Sequence, residues 1–236
     1  MKIGRVLLII IIIFPSFLFA QKSKPWNKPL YDNYPYHYGF AFSGGLIDFS
    51  VTHASDFFEP QLDSIRSVEG VAGPLFGASM VGNLRLSPNW DLRLMPGLYF
   101  GQRDLNYLLV KKDNSVYLHT MKIESTLLQF PLLLKYRAVR QNNYRPYVIF
   151  GANYAIDFAA RKKIKAEEEP KIRLNRNDLY VEVGVGLDNY MPYFKLSMEI
   201  KFSYGMLNIV NYDDTQYTNV FDRLGSKMVT LVVLFE

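Results

Sequence analysis

Taken two residues at a time, the stretch 178–204 separates into two surfaces. Leu179, Val181, Val183, Val185 and Leu187 make an apolar row opposed by Tyr180, Glu182, Gly184, Gly186 and Asp188. After a tight break at 189–192 the alternation resumes. Phe194, Leu196, Met198, Ile200, Phe202 and Tyr204 now oppose Lys195, Ser197, Glu199, Lys201 and Ser203. Successive side chains on a strand point to opposite faces, so this is a hairpin with one apolar and one charged side. A soluble sandwich gives the same pattern over strands of about five or six residues. These rows span nine to eleven, the length a tilted strand needs to cross a bilayer. The hairpin reads as a wall of a transmembrane barrel, lipid outside and polar side chains within.

The same period predicts strands over 36–51, 71–86, 91–105, 117–138, 144–158 and 227–236. In the first, Tyr38, Phe40, Phe42 and Leu46 oppose a row of small residues, Gly39, Ala41, Ser43 and Gly45, with Ile47. Two features depart from a clean pattern. Pro96 sits inside the third strand, where a missing ladder donor implies a bulge or loosened pairing, and Leu127 and Leu133 fall on the polar face of the fourth. The connections, at 53–70, 87–90, 106–116, 140–143, 161–176, 189–192 and 206–225, alternate long and short. Eight strands with that rhythm predict an all-β, antiparallel, up-and-down transmembrane β-barrel with short periplasmic turns and long external loops. Both termini then fall on the periplasmic side, and Phe235 supplies the aromatic ending typical of such barrels, with Glu236 departing from it.

Composition adds limits. The 236 residues include seventeen Tyr and seventeen Phe, enough for interfacial girdles, and no cysteine, so no disulfide or lipid-anchored cysteine. Residues 1–20 place Lys2 and Arg5 before an apolar run and end in Ala20, the pattern of a secretory signal peptide cleaved before Gln21. Residues 21–35 are expected to be an extended periplasmic leader, and 36–236 the barrel domain. The net charge of +5, about +3 after loss of the signal, is too small to argue for nucleic acid.

An eight-stranded barrel is just wide enough to be filled by its own side chains. Arg85, Arg93, Arg103, Lys135, Asp157, Glu182, Asp188, Lys195, Glu199 and Lys201 lie on inward rows and carry both signs. They are expected to form ion pairs across the lumen, leaving no open pore. Glu182 and Glu199 could neighbour each other and suggest a hydrolase carboxylate pair, but a lysine-rich lumen favours ion pairing. His37, His53 and His119 stand apart, and Asp213–Asp214 lacks the spacing of a calcium loop. No metal, cofactor or small-molecule substrate is expected. Partner contacts are expected in the loops: the aromatic pair Phe57 and Phe58, and the basic block Arg161, Lys162 and Lys163 that opens a loop of alternating charge.

Three stretches carry a family resemblance: Asn33 to Val51 (NYPYHYGFAFSGGLIDFSV), the pair LLQFPLLLKYR and RPYVIFGANYAID, and KLSMEIKFSYGMLNIV from Lys195 to Val210. They resemble the PorT-type outer-membrane barrels of Bacteroidota. The middle pair is shared by the wider small-barrel superfamily. The resemblance implies a non-enzymatic outer-membrane component of the type IX secretion system, needed for export of cargo proteins and in gliding bacteria for motility. Its implied partners are outer-membrane lipid and other secretion-system proteins. A structural or adhesive barrel working through its external loops is the alternative, and a lipid-modifying or proteolytic barrel enzyme a third.

Overall fold

The computed structural model describes residues 26–54, 65–110, 115–161, 172–212, 217–218 and 220–236. The expected signal peptide, Phe57, Phe58, Lys162, Lys163 and Asp213–Asp214 lie outside these residues. Ten strands form one sheet: β1 (Tyr36–His53), β2 (Ile65–Val71), β3 (Gly73–Arg85), β4 (Trp90–Leu94), β5 (Gly97–Val110), β6 (Val116–Arg137), β7 (Tyr144–Asp157), β8 (Asn177–Tyr190), β9 (Lys195–Gly205) and β10 (Phe221–Phe235). β2 with β3, and β4 with β5, are single walls interrupted at one point, so the ring has eight walls. β1 closes it by pairing with β10 on one side and β3 on the other. Every pairing is antiparallel, and the fold is the eight-stranded up-and-down barrel.

The interruption at 95–96 costs no register. Leu94 faces Leu132 and Gly97 faces Gln129, and on the other side the same two residues face Gly82 and Ser79. Three steps separate each pair on both walls. Pro96 therefore loosens pairing without a bulge, and its carbonyl still accepts from the Met80 amide at 2.9 Å. The bulge lies elsewhere, at Ala72. Leu75 opposes Gly101 but Val71 opposes Asp104, a slip of one residue, and a second slip separates Ile65 from Ser67.

These slips explain the first correction. Residues 65–70 were expected in a loop because their apolar positions do not alternate; they form β2, with Ile65 and Val68 both buried. β5 likewise runs on to Val110, and β10 begins at Phe221, so the connections expected at 106–116 and 206–225 are shorter. Asn189 and Tyr190 stay in the ladder, opposite Leu196 and Lys195, which moves that turn to 191–194. At the other short hairpin, Gln141 and Tyr144 exchange backbone hydrogen bonds and Asn142 takes φ 54°, a left-handed turn conformation asparagine tolerates well.

The outward rows are apolar and exposed, among them Phe40, Phe42, Val183, Val185, Ile200 and Phe202. At one end Tyr36, Trp90, Tyr136, Tyr144 and Phe194 ring the barrel, and the short turns and both described termini lie there, which makes it the periplasmic end. Toward the other end the outward rows turn polar in step on paired strands: Leu46 opposite Val229 gives way to Asp48 opposite Lys227, and Phe100 opposite Thr126 to Gln102 opposite Glu124. On β6, Tyr136 to Leu128 covers nine residues, roughly 25 Å once the strand is tilted. Beyond that boundary β5 and β6 continue by about nine residues each, roughly 30 Å of strand length, into the external medium.

Candidate functional site

Among the described residues, buried ion pairs cross the lumen in layers. Along the barrel from the periplasmic end, Lys135 Nζ meets Asp188 Oδ2 at 2.7 Å, with Ser197 Oγ donating to Asp188 at 2.5 Å. Next, Arg93 Nη1 meets Glu199 Oε2 at 3.0 Å, and the Tyr147 hydroxyl donates to the same oxygen at 3.0 Å. Lys135 lies 3.6 Å above the Tyr147 ring. Further out Lys201 meets Glu182 at 2.9 Å, and Glu182 also accepts from Asn153 and Ser203. Leu127 and Leu133, the apolar residues on the polar face, are buried among these pairs with Tyr99, Met95, Ile149 and Val232. Apolar wedges thus alternate with charge layers.

Seven of the ten inward charges take part in these pairs or in one at the rim, where Lys195 Nζ meets Glu236 at 2.5 Å. Three are held otherwise. Arg85 donates to the carbonyls of Asp32 and Ser87. Arg103 donates to Ser226 Oγ at 2.6 Å and lies 4.1 Å over the Phe49 ring. Asp157 accepts from the amides of Thr126 and Ala159, so it caps a strand end. Glu182 and Glu199 are not cross-strand neighbours: Glu182 opposes Ser203 and Glu199 opposes Gly186, and each has its own cation. The carboxylate-pair idea has no geometry behind it. The histidines remain apart, with His37 at the periplasmic mouth and His53 and His119 at the external end, and among the described residues no three His, Asp or Glu side chains gather as metal ligands.

Both ends are closed by features that alternation does not display. At the external end Phe49, Ile65, Val68, Leu105, Tyr107, Leu109, Met121, Phe221 and Leu224 enclose Ile172, Leu174, Ile209, Val210 and Val220 from the connecting segments. A Leu174–Val210 bridge and the Asn175 amide donating to Ile209 O at 2.7 Å tie the two connections together. The pairs Ile209–Val210 and Val220–Phe221, with Leu224, were the sign of this cap in a stretch read as polar. Arg161, from the basic block, ends a short 3-10 turn, Ala159–Arg161, beside β6.

At the periplasmic end the leader is not extended over 26–35. It turns through Tyr31–Asn33 and sits in the mouth. Asp32 accepts from Arg137 at 3.3 Å and from the Tyr190 hydroxyl at 2.9 Å, and is ion-paired with Arg145 at 3.2 Å and Arg140 at 3.8 Å. Tyr31 stacks on His37 at 4.1 Å, with Lys195 4.9 Å over its ring. Burial pushes the Tyr31 phenol well above its usual range, and the Lys28 ammonium is held down by burial and by Lys195. Glu236, just past β10, goes the other way. Burial opposes its charge, but Lys195, Arg93 and Lys135 outweigh it and hold the carboxyl at about 2.

A closed eight-walled ring with an apolar, aromatic-girdled exterior and a plugged, charged interior is an outer-membrane β-barrel. The chain belongs to the outer membrane protein beta-barrel domain family, whose model matches residues 19–211, and it resides in the outer membrane. No curated protein sequence matches it significantly. Among solved structures it is similar to the outer membrane protein OprG of Pseudomonas aeruginosa (15% identity, 84% of this chain and 92% of that one, TM-score 0.40). It is also similar to Neisserial surface protein A (12% identity, 85% and 96%, TM-score 0.41). A third is the outer membrane protease OmpT of Escherichia coli (10% identity, 85% and 94%, TM-score 0.37).

Proposed function

We propose that this outer-membrane barrel is a non-enzymatic accessory or assembly component of the type IX protein secretion system, working through its two ends. One observation carries the reading: buried ion pairs cross the lumen in layers, with Arg93 and Glu199 joined across its middle, which supports a barrel that works without passing cargo. What remains available to a partner is the periplasmic rim, the external cap and the lipid-facing wall. The resemblance of residues 33–51, 127–137, 145–157 and 195–210 to PorT-type barrels directs that choice toward secretion. Deleting the gene and measuring secreted proteins in the culture medium tests it: loss of secretion restored by the wild-type gene is expected, and normal secretion refutes it.

A structural or adhesive barrel is the second reading, favoured by the external apolar cap, which holds the segments around Ile172 and Ile209 in fixed shape. Affinity purification from solubilised outer membrane separates the two. A stable complex with secretion-system proteins supports the first, and recovery of the barrel alone with an unaltered secretome supports the second.

A further inference from the structure

We propose that the periplasmic mouth is a binding site for an acidic–aromatic peptide segment of a partner protein, occupied in this structure by the chain's own leader. The site has two parts. The first is a carboxylate clamp of Arg137, Arg140, Arg145 and the Tyr190 hydroxyl, supplied by β6, the 138–143 turn, β7 and β8 and converging on Asp32. The three guanidinium side chains are 3, 5 and 9% exposed. The second is an aromatic slot, His37 below Tyr31, Tyr190 at its edge with ring centres 5.9 Å apart, and Lys195 above. A tyrosine followed by an aspartate fills both.

The leader is held by these contacts and by hydrogen bonds such as Asn27 to Asn143 and Tyr190, while the ladder begins only at Tyr36. The walls close without it. Lifting it out takes Asp32 from three arginines at once and leaves a preformed cluster of guanidinium groups, which a returning carboxylate meets with charge-assisted hydrogen bonds. The balance of charge agrees. Once Asp32 leaves, Arg137 keeps Asp91, and Lys195 keeps Glu236 with Asp188 nearby. Arg140 and Arg145 are then left with no carboxylate among the described residues. A planar fork reads a carboxylate by paired hydrogen bonds, and the slot beside it adds an aromatic requirement. A partner segment carrying both competes with the leader for one seat.

The test uses the full mature chain in detergent, as wild type and as Asp32→Lys and Tyr31→Ser variants that weaken the leader's hold, each shown to migrate as a folded barrel when unheated. The probe is a fluorescent peptide of residues 28–35, KPLYDNYP, read by anisotropy. It should bind the variants at least about tenfold more tightly than wild type, and replacing its Asp by Asn or its Tyr by Ala should lose about tenfold or more, the span of one such contact. Adding Arg145→Glu should abolish binding. Equal binding of the Asp and Asn peptides, displacement by inorganic phosphate as effective as by the peptide, or no binding to any folded variant overturns the proposal. So does failure of both variants to fold, since the leader is then part of the barrel. Secretion in a deletion strain is a separate readout and is untouched by this result.

Discussion

Arg93 and Glu199 meet on opposite walls. Their side chains, on β4 and β9, are fully buried and 3.0 Å apart, and four steps of the eight-walled ring separate them in either direction. A contact between walls that share no ladder fixes the barrel's diameter in a way cross-strand hydrogen bonds do not. Tyr147 from a third wall shares the same carboxylate oxygen.

Truncating either partner leaves the other charged and unpaired in a desolvated lumen. Arg93→Met and Glu199→Met should each lower stability by about 3–5 kcal/mol, whereas the double variant, which buries no charge there, should lose far less. Denaturant midpoints in lipid vesicles measure this. Additive losses in the double variant would show that the pair contributes nothing as a unit.

Tyr147 reaches Glu199 because the residue opposite Glu199 has no side chain. A Cβ at Gly186 would stand 2.3 Å from Tyr147 Cζ. Gly186→Ala should therefore cost about 1–3 kcal/mol by overpacking, and that cost should shrink in a Tyr147→Leu background. The same cost in both backgrounds would mean the ring is not what the glycine accommodates.

How much of this was legible in the chain depended on whether the signal was periodic. Rows such as 179–187 and 194–204 fixed eight walls and their inward faces because each face of a membrane barrel meets a different solvent at period two. Lumen partners were less legible. Alternation says that Arg93 and Glu199 point inward, but which inward residues meet depends on register and shear, which place Lys135 on Asp188 two walls away and leave Arg103 on a hydroxyl and an aromatic ring. The two ends were least legible. β2 is hidden by two register slips, the cap is assembled from non-periodic apolar pairs, and Asp32 acquires meaning only when arginines distant in sequence surround it.

The external membrane boundary between Phe100 and Gln102 makes a positional prediction. Val183 and Leu118 are both outward and more than half exposed, but Val183 lies in the lipid belt and Leu118 beyond it. Val183→Arg should cost about 2–4 kcal/mol in vesicles, and Leu118→Arg close to nothing. Equal costs would move the boundary, and the membrane would have to cover the upper half of the β5–β6 hairpin.

The periplasmic rim has an acid limit. Glu236 titrates in the folded barrel at about 2 against an ordinary value of 4.5. A carboxyl whose folded value is depressed contributes stability that is full above the unfolded value and lost as pH falls through the folded one. The wild type should thus lose stability between pH 4.5 and about 2, with Lys195 left unpaired at the bottom of that window. Glu236→Gln should be less stable at pH 7 and should lack this increment, so that the two stability curves converge as pH approaches 2. Comparing the two chains cancels the titration of the carboxylates they share. Parallel curves across that window would show that Lys195 does not hold the Glu236 carboxyl ionised.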